Sequence, residues 1–359
     1  MRAAVQWTSG GPFEVGEVDL TGPGPGEVAV RLRAAGVCAS DLSLTTVFGQ
    51  PTPVVLGHEG AGTVEEIGPG VTDLQVGDHV LVLWVPSCGQ CGPCLRGDEY
   101  LCARRTSTAD ARAGRSHTAT HRLSIDGRQV HQGMNTATFA ERTVLPRRAI
   151  LPIPADVPFP VAAMLGCAVP TGVGAALRSA RVAPGDSVAV IGCGAVGLNS
   201  ILGAVVAGAA RLIAVDPTER RRETALSLGA TEAMTPEEFA EQARDLDVVI
   251  DAVGQPPTVL DAWRAARRGG TVTVVGAGRP GDTVPISAYE LFHDDKKLTG
   301  SFHGGISMRR DIDLLVGLWR TGRLPIEKLI SGTADLKEIN EVVGAQREGT
   351  VVRTVLTMD

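Results

Sequence analysis

The sequence predicts an α/β protein with two domains, one rich in β-strands and one built on a doubly wound parallel sheet. The chain has 359 residues, which at roughly 150 residues per domain corresponds to two domains. Its first half carries short apolar segments separated by glycine, proline and aspartate, as in antiparallel sheets. After Pro184 apolar strands alternate with helical segments, which predicts a parallel sheet.

The composition is that of an ordinary globular protein. The chain has 34 Lys and Arg against 40 Asp and Glu, and its formal charge of −6 argues against nucleic-acid binding. Hydrophobic residues make up 43% and charged residues 21%, which argues against disorder and a coiled coil. Met1 to Trp7 holds one basic residue and lacks the apolar run of a signal peptide, which predicts a cytoplasmic protein.

Short strands dominate the first predicted domain. The segments Val28 to Arg33, Gly60 to Ile67 and Val80 to Val85 have strand patterns and are bounded by turn residues. Recurring glycines in this half suit the sharp corners of a small antiparallel barrel. No long helix is indicated before about Val161, and Gly349 to Leu356 predicts a strand that returns to pair with this region.

The second half predicts strands and helices in alternation. Its uncharged stretch Ser187 to Ala210 is long enough to cross a bilayer, but three of its five glycines cluster between Gly192 and Gly197. A strand, a glycine turn and a helix in series explain that cluster better than a membrane helix does. The expected strands are Ser187 to Ile191, Arg211 to Val215, Asp247 to Val253, Thr271 to Gly276 and Lys297 to Phe302, and the expected helices are Ala195 to Gly208, Glu219 to Leu228, Pro257 to Arg268 and Arg309 to Thr321.

The motif Gly192-Cys193-Gly194-Ala195-Val196-Gly197 follows a predicted strand and opens a predicted helix. In that context G-x-G-x-x-G indicates a dinucleotide site, because the glycines allow a tight turn and let a pyrophosphate approach the helix N-terminus. Asp216 ends the next strand, where a carboxylate bonds an adenosine ribose and repels a 2′-phosphate, which favours NAD. Arg220-Arg221-Arg222 keeps NADP open, since arginines beside this position can hold a 2′-phosphate. A glycine turn in a ligand-free domain is the remaining alternative.

Seven cysteines in a chain with no export signal favour metal binding over disulfides. Four of them stand as C-x2-C-x2-C-x7-C in a loop rich in glycine and proline. Thiolates at this spacing can close a tetrahedron around zinc, and a closed site is structural. Hydrogen-bonded or buried neutral thiols are the alternative. The four residues are Cys88, Cys91, Cys94 and Cys102.

Cys38, His58 with Glu59, and Cys167 are the candidate ligands of a second, catalytic metal site. They are far apart in the sequence and must meet in space. Taken singly, each is also consistent with a buried structural side chain. Because no local ligand pair marks a metal motif, spacing alone leaves both interpretations open.

Together these motifs resemble those of the zinc-dependent medium-chain alcohol dehydrogenases, most closely the long-loop alcohol and formaldehyde dehydrogenase branch. The resemblance implies a GroES-like catalytic domain at residues 1–168 and 303–359, and a Rossmann NAD-binding domain at residues 169–302. It covers nearly the whole chain, through GVCASD at 36–41, GHEGAGTVEEIGPGV at 57–71, GDHV at 77–80, the four-cysteine loop, LGC at 165–167, VIGCGAVG at 190–197 and GTVVRTVL at 349–356.

The resemblance also implies residue roles. Cys38, His58 and Cys167 would hold the catalytic zinc with Glu59 behind it, and Asp41 would orient His58. Zinc would lower the alcohol pKa while a hydride passes to NAD⁺. Other implied roles are proton acceptor for Ser40, nicotinamide neighbours for Thr171 and Val275, ribose acid for Asp216, pyrophosphate contact for Arg353, and pocket wall for Trp84, Gly133, Met134 and His303. Arg221, from the arginine run beside Asp216, is also expected to contact the cofactor.

Two positions depart from the family pattern. Many members carry a proton-relaying histidine three residues after the position of Ser40, and this chain has Ser43 there. We therefore expect a relay that is shorter or ends on water, with a weaker pH dependence than a histidine would give. Ala39 stands where some relatives place a basic pyrophosphate contact, so we expect modest NAD affinity.

The expected function is NAD-dependent interconversion of a primary alcohol and its aldehyde by a homodimer with two zinc ions per chain and no membrane or nucleic-acid partner. Gly133 leaves space where relatives often have a bulky aromatic, and Trp84 offers an apolar face, which favours a medium or bulky aromatic or terpenoid substrate. One alternative is a formaldehyde dehydrogenase that acts on a glutathione or mycothiol adduct. No basic residue can be assigned to its carboxylate, although Arg104, Arg105, Arg112 and Arg115 lie in the long loop. A non-catalytic dinucleotide-binding or redox-sensing protein is the alternative of another class.

Overall fold

The computed structural model describes residues 1–104 and 122–358. The chain divides into unit 1, which comprises Met1–Cys167 and Ile326–Asp359, and unit 2, which comprises Ala168–Pro325. Residues 303–325, which the sequence analysis assigns to the catalytic domain, therefore group with unit 2. Asp311 in this stretch accepts a hydrogen bond from Arg178 at 2.9 Å, which ties the stretch to that unit.

Unit 1 contains two mixed sheets in its described part. The central strand Glu27–Gly36 buries Val28, Val30 and Leu32 on one face, which explains the alternation in its sequence. Strand order in one sheet is Phe13–Glu17, Arg2–Gln6, Val54–Val55, Arg128–Gln132, Leu123–Ile125, Asp19–Leu20, and in the other Ile150–Pro152, His79–Val82, Glu59–Ile67, Glu27–Gly36, Thr354–Thr357, Gly332–Asp335, with Arg142–Pro146 also on Glu27–Gly36.

The pairing of these strands positions the candidate ligands. Strand Glu59–Ile67 runs antiparallel to Glu27–Gly36, and Gly36 pairs with Glu59. Cys38, just after the end of strand Glu27–Gly36, is therefore brought close to His58, just before the start of strand Glu59–Ile67. In the described part of unit 1 the helices are Ala39–Thr46, Gly92–Leu95, Phe159–Met164 and Ile339–Glu348. Short 3-10 turns lie at Glu99–Leu101, Gly133–Asn135, Arg147–Ala149, Ile326–Leu329 and Leu336–Glu338.

Unit 2 holds a six-stranded parallel sheet, and the predicted doubly wound order is confirmed. The stretch from Ser187 is a strand, a glycine turn and a helix, as expected. No described helix is both long and apolar enough to cross a membrane. Strands lie in the order Glu232–Met234, Arg211–Val215, Ser187–Ile191, Leu246–Asp251, Ala266–Val274, Lys297–Gly300, and the helices are Ala168–Gly174, a π-helical turn Ala175–Ser179, Ala195–Ala207, Glu219–Ser227, Pro236–Gln242, Pro256–Ala265, Ala288–His293 and Met308–Arg320, with a 3-10 turn His303–Gly305.

Several element boundaries differ from the expected ones. The helix predicted to reach Arg268 ends at Ala265, and the following residues belong to a strand. The final strand begins at Thr354, later than expected, and it pairs with Glu27–Gly36 as predicted. Helix Pro236–Gln242 was missed, although Thr235 and Glu238 form a capping box that the sequence displays.

Candidate active site

Four buried side chains of unit 1 converge although they are far apart in sequence. The ligand atoms of Cys38, His58, Glu59 and Cys167 all lie within 4.8 Å of one another. Cys38 is the N-cap of helix Ala39–Thr46, and Cys167 follows helix Phe159–Met164. Two thiols, an imidazole and a carboxylate form the donor set that zinc prefers in a catalytic site.

Asp41 connects two of the segments that bring these residues together. Its Oδ1 lies 2.7 Å from Nδ1 of His58 and accepts the Gly57 amide at 3.1 Å. Its Oδ2 accepts the Cys38 amide at 3.2 Å. The carboxylate therefore fixes the orientation of the imidazole and directs Nε2 away from itself. That Asp41 orients a zinc-binding imidazole stays a prediction.

Two ligand atoms of the cluster lack, among the described residues, the partners that buried polar atoms normally have, as expected for a zinc site. Within the described part of the chain, Nε2 of His58 and Oε2 of Glu59 are buried without a hydrogen-bond partner. Orphaned buried acceptors of this kind are rare unless an ion or water satisfies them. A zinc ion would accept the Nε2 lone pair while Asp41 holds the Nδ1 proton.

Burial and the neighbouring groups shift the pKa values of all four side chains in the cluster. The hydrogen bond between the two thiols holds the pKa of Cys38 well below its ordinary value and raises that of Cys167. Burial alone lowers the pKa of His58, but the charge of Asp41 raises it well above the ordinary value. Burial raises the pKa of Glu59 to about 7, against the opposing charge of Arg353.

Arg353 is 2% exposed and lies beside this cluster. Its Nη1 donates to the Val37 carbonyl at 2.6 Å, and its Nη2 lies 3.2 Å from Glu59 Oε1. A pyrophosphate contact is expected of Arg353, whereas its pairing with Glu59 was not predicted. No local sequence signal reveals this pairing, because the two residues are far apart in the sequence. The pyrophosphate contact stays a prediction.

The four-cysteine loop forms a second compact cluster. Sγ of Cys91 lies 3.4 Å from that of Cys94 and 3.9 Å from that of Cys102, and the sulfurs of Cys88 and Cys94 are 4.0 Å apart. Four sulfurs at about 2.3 Å from one zinc stand about 3.8 Å apart in a tetrahedron. The cluster therefore has the dimensions of a closed zinc site.

The two serines near Cys38 differ in their contacts. Ser43 donates its hydroxyl to the Ala39 carbonyl one helical turn earlier, at 3.2 Å. Ser40 lies half-buried near the start of helix Ala39–Thr46. The hydroxyl of Ser43 is thus engaged by its own helix.

In unit 2 the glycine motif shapes a cleft of about 450 Å³. A side chain at Gly197 would collide with the Gly192 carbonyl, so this glycine permits the close packing of strand and helix. A Cβ at Gly194 would meet nothing within 4 Å, which leaves open space at the start of helix Ala195–Ala207. That space and the free amide groups of the helix start suit a pyrophosphate.

Asp216 and Arg221 line the same cleft. Asp216 is 3% exposed and accepts hydrogen bonds from the amides of Cys193 and Thr218, both at 2.8 Å. Nη1 of Arg221 lies 3.8 Å from its carboxylate. The expected ribose acid and an arginine that keeps NADP open therefore lie together at the cleft, with Ala195 and Val196 opening the adjacent helix.

Other expected cofactor neighbours also lie in unit 2. Val275 follows strand Ala266–Val274 directly. The segment of Thr171 packs backbone against backbone with that of His303, since a Cβ at Gly304 would lie 2.7 Å from the Thr171 carbonyl oxygen. His303 itself is expected in the pocket wall, and that role stays a prediction.

The expected pocket residues of unit 1 give a mixed result. The Trp84 ring meets the His58 ring edge to face at a centroid distance of 5.6 Å, which leaves Trp84 beside the cluster. A Cβ at Gly133, however, would lie 2.7 Å from Leu56 Cδ2. The direction of a side chain at Gly133 is thus filled by Leu56, and the glycine serves close packing there. Met134 follows it with a left-handed backbone, φ 49°.

The comparisons with known proteins agree with this architecture. Residues 24–155 match the family described as alcohol dehydrogenase GroES-like domain, and residues 195–317 match the zinc-binding dehydrogenase family. An NDMA-dependent alcohol dehydrogenase from Amycolatopsis methanolica is 36% identical over 99% of this chain and 98% of its own length. An S-(hydroxymethyl)glutathione dehydrogenase from Escherichia coli is 34% identical over 99% of each.

Among solved structures, a benzyl alcohol dehydrogenase from Acinetobacter calcoaceticus is similar at a TM-score of 0.90 and 31% identity. The similarity covers 100% of this chain and 99% of that one. The expected fold, a GroES-like domain with a Rossmann domain, is confirmed. The chain belongs to the zinc-dependent alcohol dehydrogenase family, and it is an oxidoreductase.

Proposed function

We propose that the chain interconverts a primary alcohol and its aldehyde with NAD and two zinc ions. The observation that carries this proposal is the convergence of the ligand atoms of Cys38, His58 and Cys167 within 4.8 Å of one another. Nε2 of His58, one of these atoms, is buried without a hydrogen-bond partner among the described residues. When bound there, zinc supplies a Lewis acid that lowers the alcohol pKa, and NAD exchanges the hydride. The four-cysteine cluster would hold the structural zinc.

Each neighbouring side chain has a definable part in this reaction. Asp41 keeps the imidazole of His58 in the tautomer whose Nε2 can bind metal. Arg353 balances the charge of Glu59 behind the ligands. Ser40 accepts the alcohol proton and passes it to water, since the hydroxyl of Ser43 is bonded to its own helix.

NAD is the favoured cofactor. A 2′-phosphate at the cleft would approach the carboxylate of Asp216, whose two oxygens are fixed by backbone amides. Arg221 offsets part of that charge at 3.8 Å, so discrimination against NADP is expected to be incomplete.

The proposed substrate is a medium or bulky primary alcohol of aromatic or terpenoid type. Trp84 supports this, because its ring lies against His58 and offers an apolar surface beside the cluster. A relative named for benzyl alcohol, similar over the whole chain, supports it too. Gly133 does not provide the expected pocket space, since Leu56 Cδ2 would lie 2.7 Å from a Cβ at this position.

NADH absorbance tests the proposal directly, with NAD⁺ and a panel from ethanol to benzyl and terpenoid alcohols. We expect faster turnover of the bulky alcohols than of ethanol. His58→Gln should abolish turnover, while His131→Gln, which changes a histidine outside the cluster, should retain it. Ethanol oxidised as efficiently as benzyl alcohol would contradict the substrate assignment, and an active His58→Gln would contradict the site.

A second candidate is a thiol-dependent formaldehyde dehydrogenase. The observation that favours it is the similarity to an S-(hydroxymethyl)glutathione dehydrogenase over 99% of both chains. Of the arginines considered for such a substrate, Arg104 is exposed, and Arg105, Arg112 and Arg115 lie outside the described residues. Formaldehyde turnover that requires added glutathione or mycothiol, with no turnover of bare alcohols, would select this candidate.

The proposed assembly is a homodimer through the edge of the parallel sheet. Strand Lys297–Gly300 is outermost in the described sheet and pairs on one side with Ala266–Val274. Nearby, Tyr289 is 68% and Phe292 81% exposed, and Leu298 on the strand itself is 43% exposed. An open strand edge beside exposed aromatic side chains suits a second copy related by a two-fold axis.

Sedimentation tests this assembly. Phe292→Arg combined with Leu298→Asp should shift the protein to monomers. Leu226→Arg, a change at another exposed leucine of unit 2 (44% exposed), should not. A wild-type monomer, or a double variant that stays dimeric, would contradict the proposed interface.

A further inference from the structure

The loop formed by residues 133–138, here called the left-handed loop, has an unusual backbone. Met134, Asn135 and Ala137 adopt φ values of 49°, 58° and 52°. A positive φ is unfavourable for a non-glycine residue, because Cβ then contacts the backbone. Three such residues close together therefore need stabilising contacts from the surrounding structure. The compensating contacts lead to the peptide group that precedes His58.

The left-handed loop binds the carbonyl of Gly57 twice. The hydroxyl of Thr136 donates to it at 2.8 Å, and the amide of Thr138 donates to it at 3.1 Å. The Thr136 hydroxyl has one proton and also lies 3.0 Å from the Gly133 carbonyl. That carbonyl already accepts the amides of Thr136 and Ala137. The shorter contact with Gly57 is therefore the one that needs this proton.

Gly57 is held from its other side by the ligand-orienting carboxylate. Its amide donates to Asp41 Oδ1 at 3.1 Å, the same oxygen that lies 2.7 Å from His58 Nδ1. Gly57 has φ +93°, and a Cβ there would lie 2.6 Å from the Phe139 ring. Asp41 and Thr136 thus hold the residue before the imidazole at its amide and at its carbonyl.

We propose that Thr136 is a positioning residue for the metal ligand His58. Its hydroxyl, placed by the left-handed loop, fixes the Gly57 carbonyl, so that Nε2 stays at the point where Cys38 and Cys167 meet. The inference rests on the proposed function, in which His58 is a zinc ligand. It adds a support at the Gly57 carbonyl, whereas Asp41 binds the imidazole ring and the Gly57 amide.

The chain offers a matched control two residues away. Thr136 is 1% and Thr138 0% exposed, so both are buried threonines of the same loop. Within the described residues, the Thr138 hydroxyl has no hydrogen-bond partner. Thr136→Val and Thr138→Val therefore make the same isosteric change, but only the first removes a bond to Gly57. Thr136→Ser keeps that bond and serves as the conservative rescue.

The test follows the time course of zinc release from the purified protein to a chromogenic chelator. The phase of release that is present in wild type and missing in His58→Gln is assigned to the cluster of Cys38, His58 and Cys167. One hydrogen bond corresponds to a change of about three- to tenfold in this rate. We expect Thr136→Val to accelerate that phase by about this factor and to leave the four-cysteine phase unchanged, with Thr136→Ser and Thr138→Val close to wild type.

Cobalt-substituted protein supplies a second readout, because the ligand-field absorption of the cluster should shift in Thr136→Val alone. Equal release rates in the two valine variants would overturn the inference. A parallel acceleration of both phases would also overturn it, since that result indicates general destabilisation. If His58→Gln released zinc in the same phases as the wild type, the proposed zinc site would be refuted, and the inference would fail with it.

Discussion

Replacing Asp41 by asparagine tests how the candidate metal site is held together. The side chain is 0% exposed and makes three contacts, at 2.7 Å to His58 Nδ1, 3.1 Å to the Gly57 amide and 3.2 Å to the Cys38 amide. The first two share one oxygen, so the asparagine carbonyl can keep both. Its NH₂ group must then face the Cys38 amide, and two donors meet in a buried space.

The expected cost follows from these contacts. A buried donor left without an acceptor costs about 1–3 kcal/mol, and the bond to His58 loses its charge assistance. At about 1.4 kcal/mol per tenfold change, the two effects correspond to metal affinity lower by about 10- to 100-fold. The four-cysteine cluster makes no contact with Asp41 in the described structure and should keep its metal.

Zinc content after dialysis against graded chelator measures this affinity. Asp73→Asn is the matched control, because Asp73 is 64% exposed in the same unit and pairs with Arg147. It should retain wild-type zinc. If Asp41→Asn held two zinc ions as tightly as the control, the orienting role of Asp41 would be refuted.

Three further outcomes are expected. Burial alone would raise the pKa of Asp247, but hydrogen bonds from Ser187 and Arg267 lower it from 3.8 to about 2. The Asp247 carboxylate therefore stabilises the fold above pH ~4 and loses this effect as the pH falls toward 2. Asp247→Asn should therefore cost about 1–2 kcal/mol in urea unfolding at pH 7, after allowance for solvent screening, and less at pH 3; an equal cost at both pH values would contradict the assignment. Gly194→Ala should keep the melting temperature and weaken NAD binding in calorimetry, whereas Gly197→Ala, which would collide with the Gly192 carbonyl, should lower the melting temperature. Ser43→Ala should leave the pH profile of NADH production unchanged, because the Ser43 hydroxyl is bonded to Ala39 and cannot titrate near pH 7; a transition near pH 6.5 that disappears in this variant would refute the short relay.

The dinucleotide unit could be predicted closely because its signals are local. The strand at Ser187–Ile191 and the helix at Ala195–Ala207 follow from apolar runs with the glycine motif between them. Parallel strands joined by helices leave few possible topologies, so local elements determine the order of the sheet. Boundaries were less certain where propensity conflicts with pairing, as at Arg267 and Arg268.

The catalytic cluster could be predicted only as a set of residue types. Its members meet because Gly36 pairs with Glu59 in a long antiparallel register, which no local pattern displays. The resemblance to a family supplied the grouping that spacing left open. The contacts of Arg353 with Glu59 and of Thr136 with Gly57 have no local signal at all, since each joins segments that are distant in sequence.

The two cysteine clusters are stabilised in opposite ways. The four-cysteine cluster comes from one loop of fifteen residues, Cys88 to Cys102, and two of its sulfurs belong to partly exposed residues. Metal bonds can order such a loop directly, because few other contacts are needed. The second cluster draws Cys38, His58 and Cys167 from separate parts of unit 1 and is entirely buried. Its ligands can meet only after the strands have paired, so the fold holds that site open for a metal. A metal at the loop thus contributes to local folding, whereas a metal at the buried cluster is free to serve chemistry.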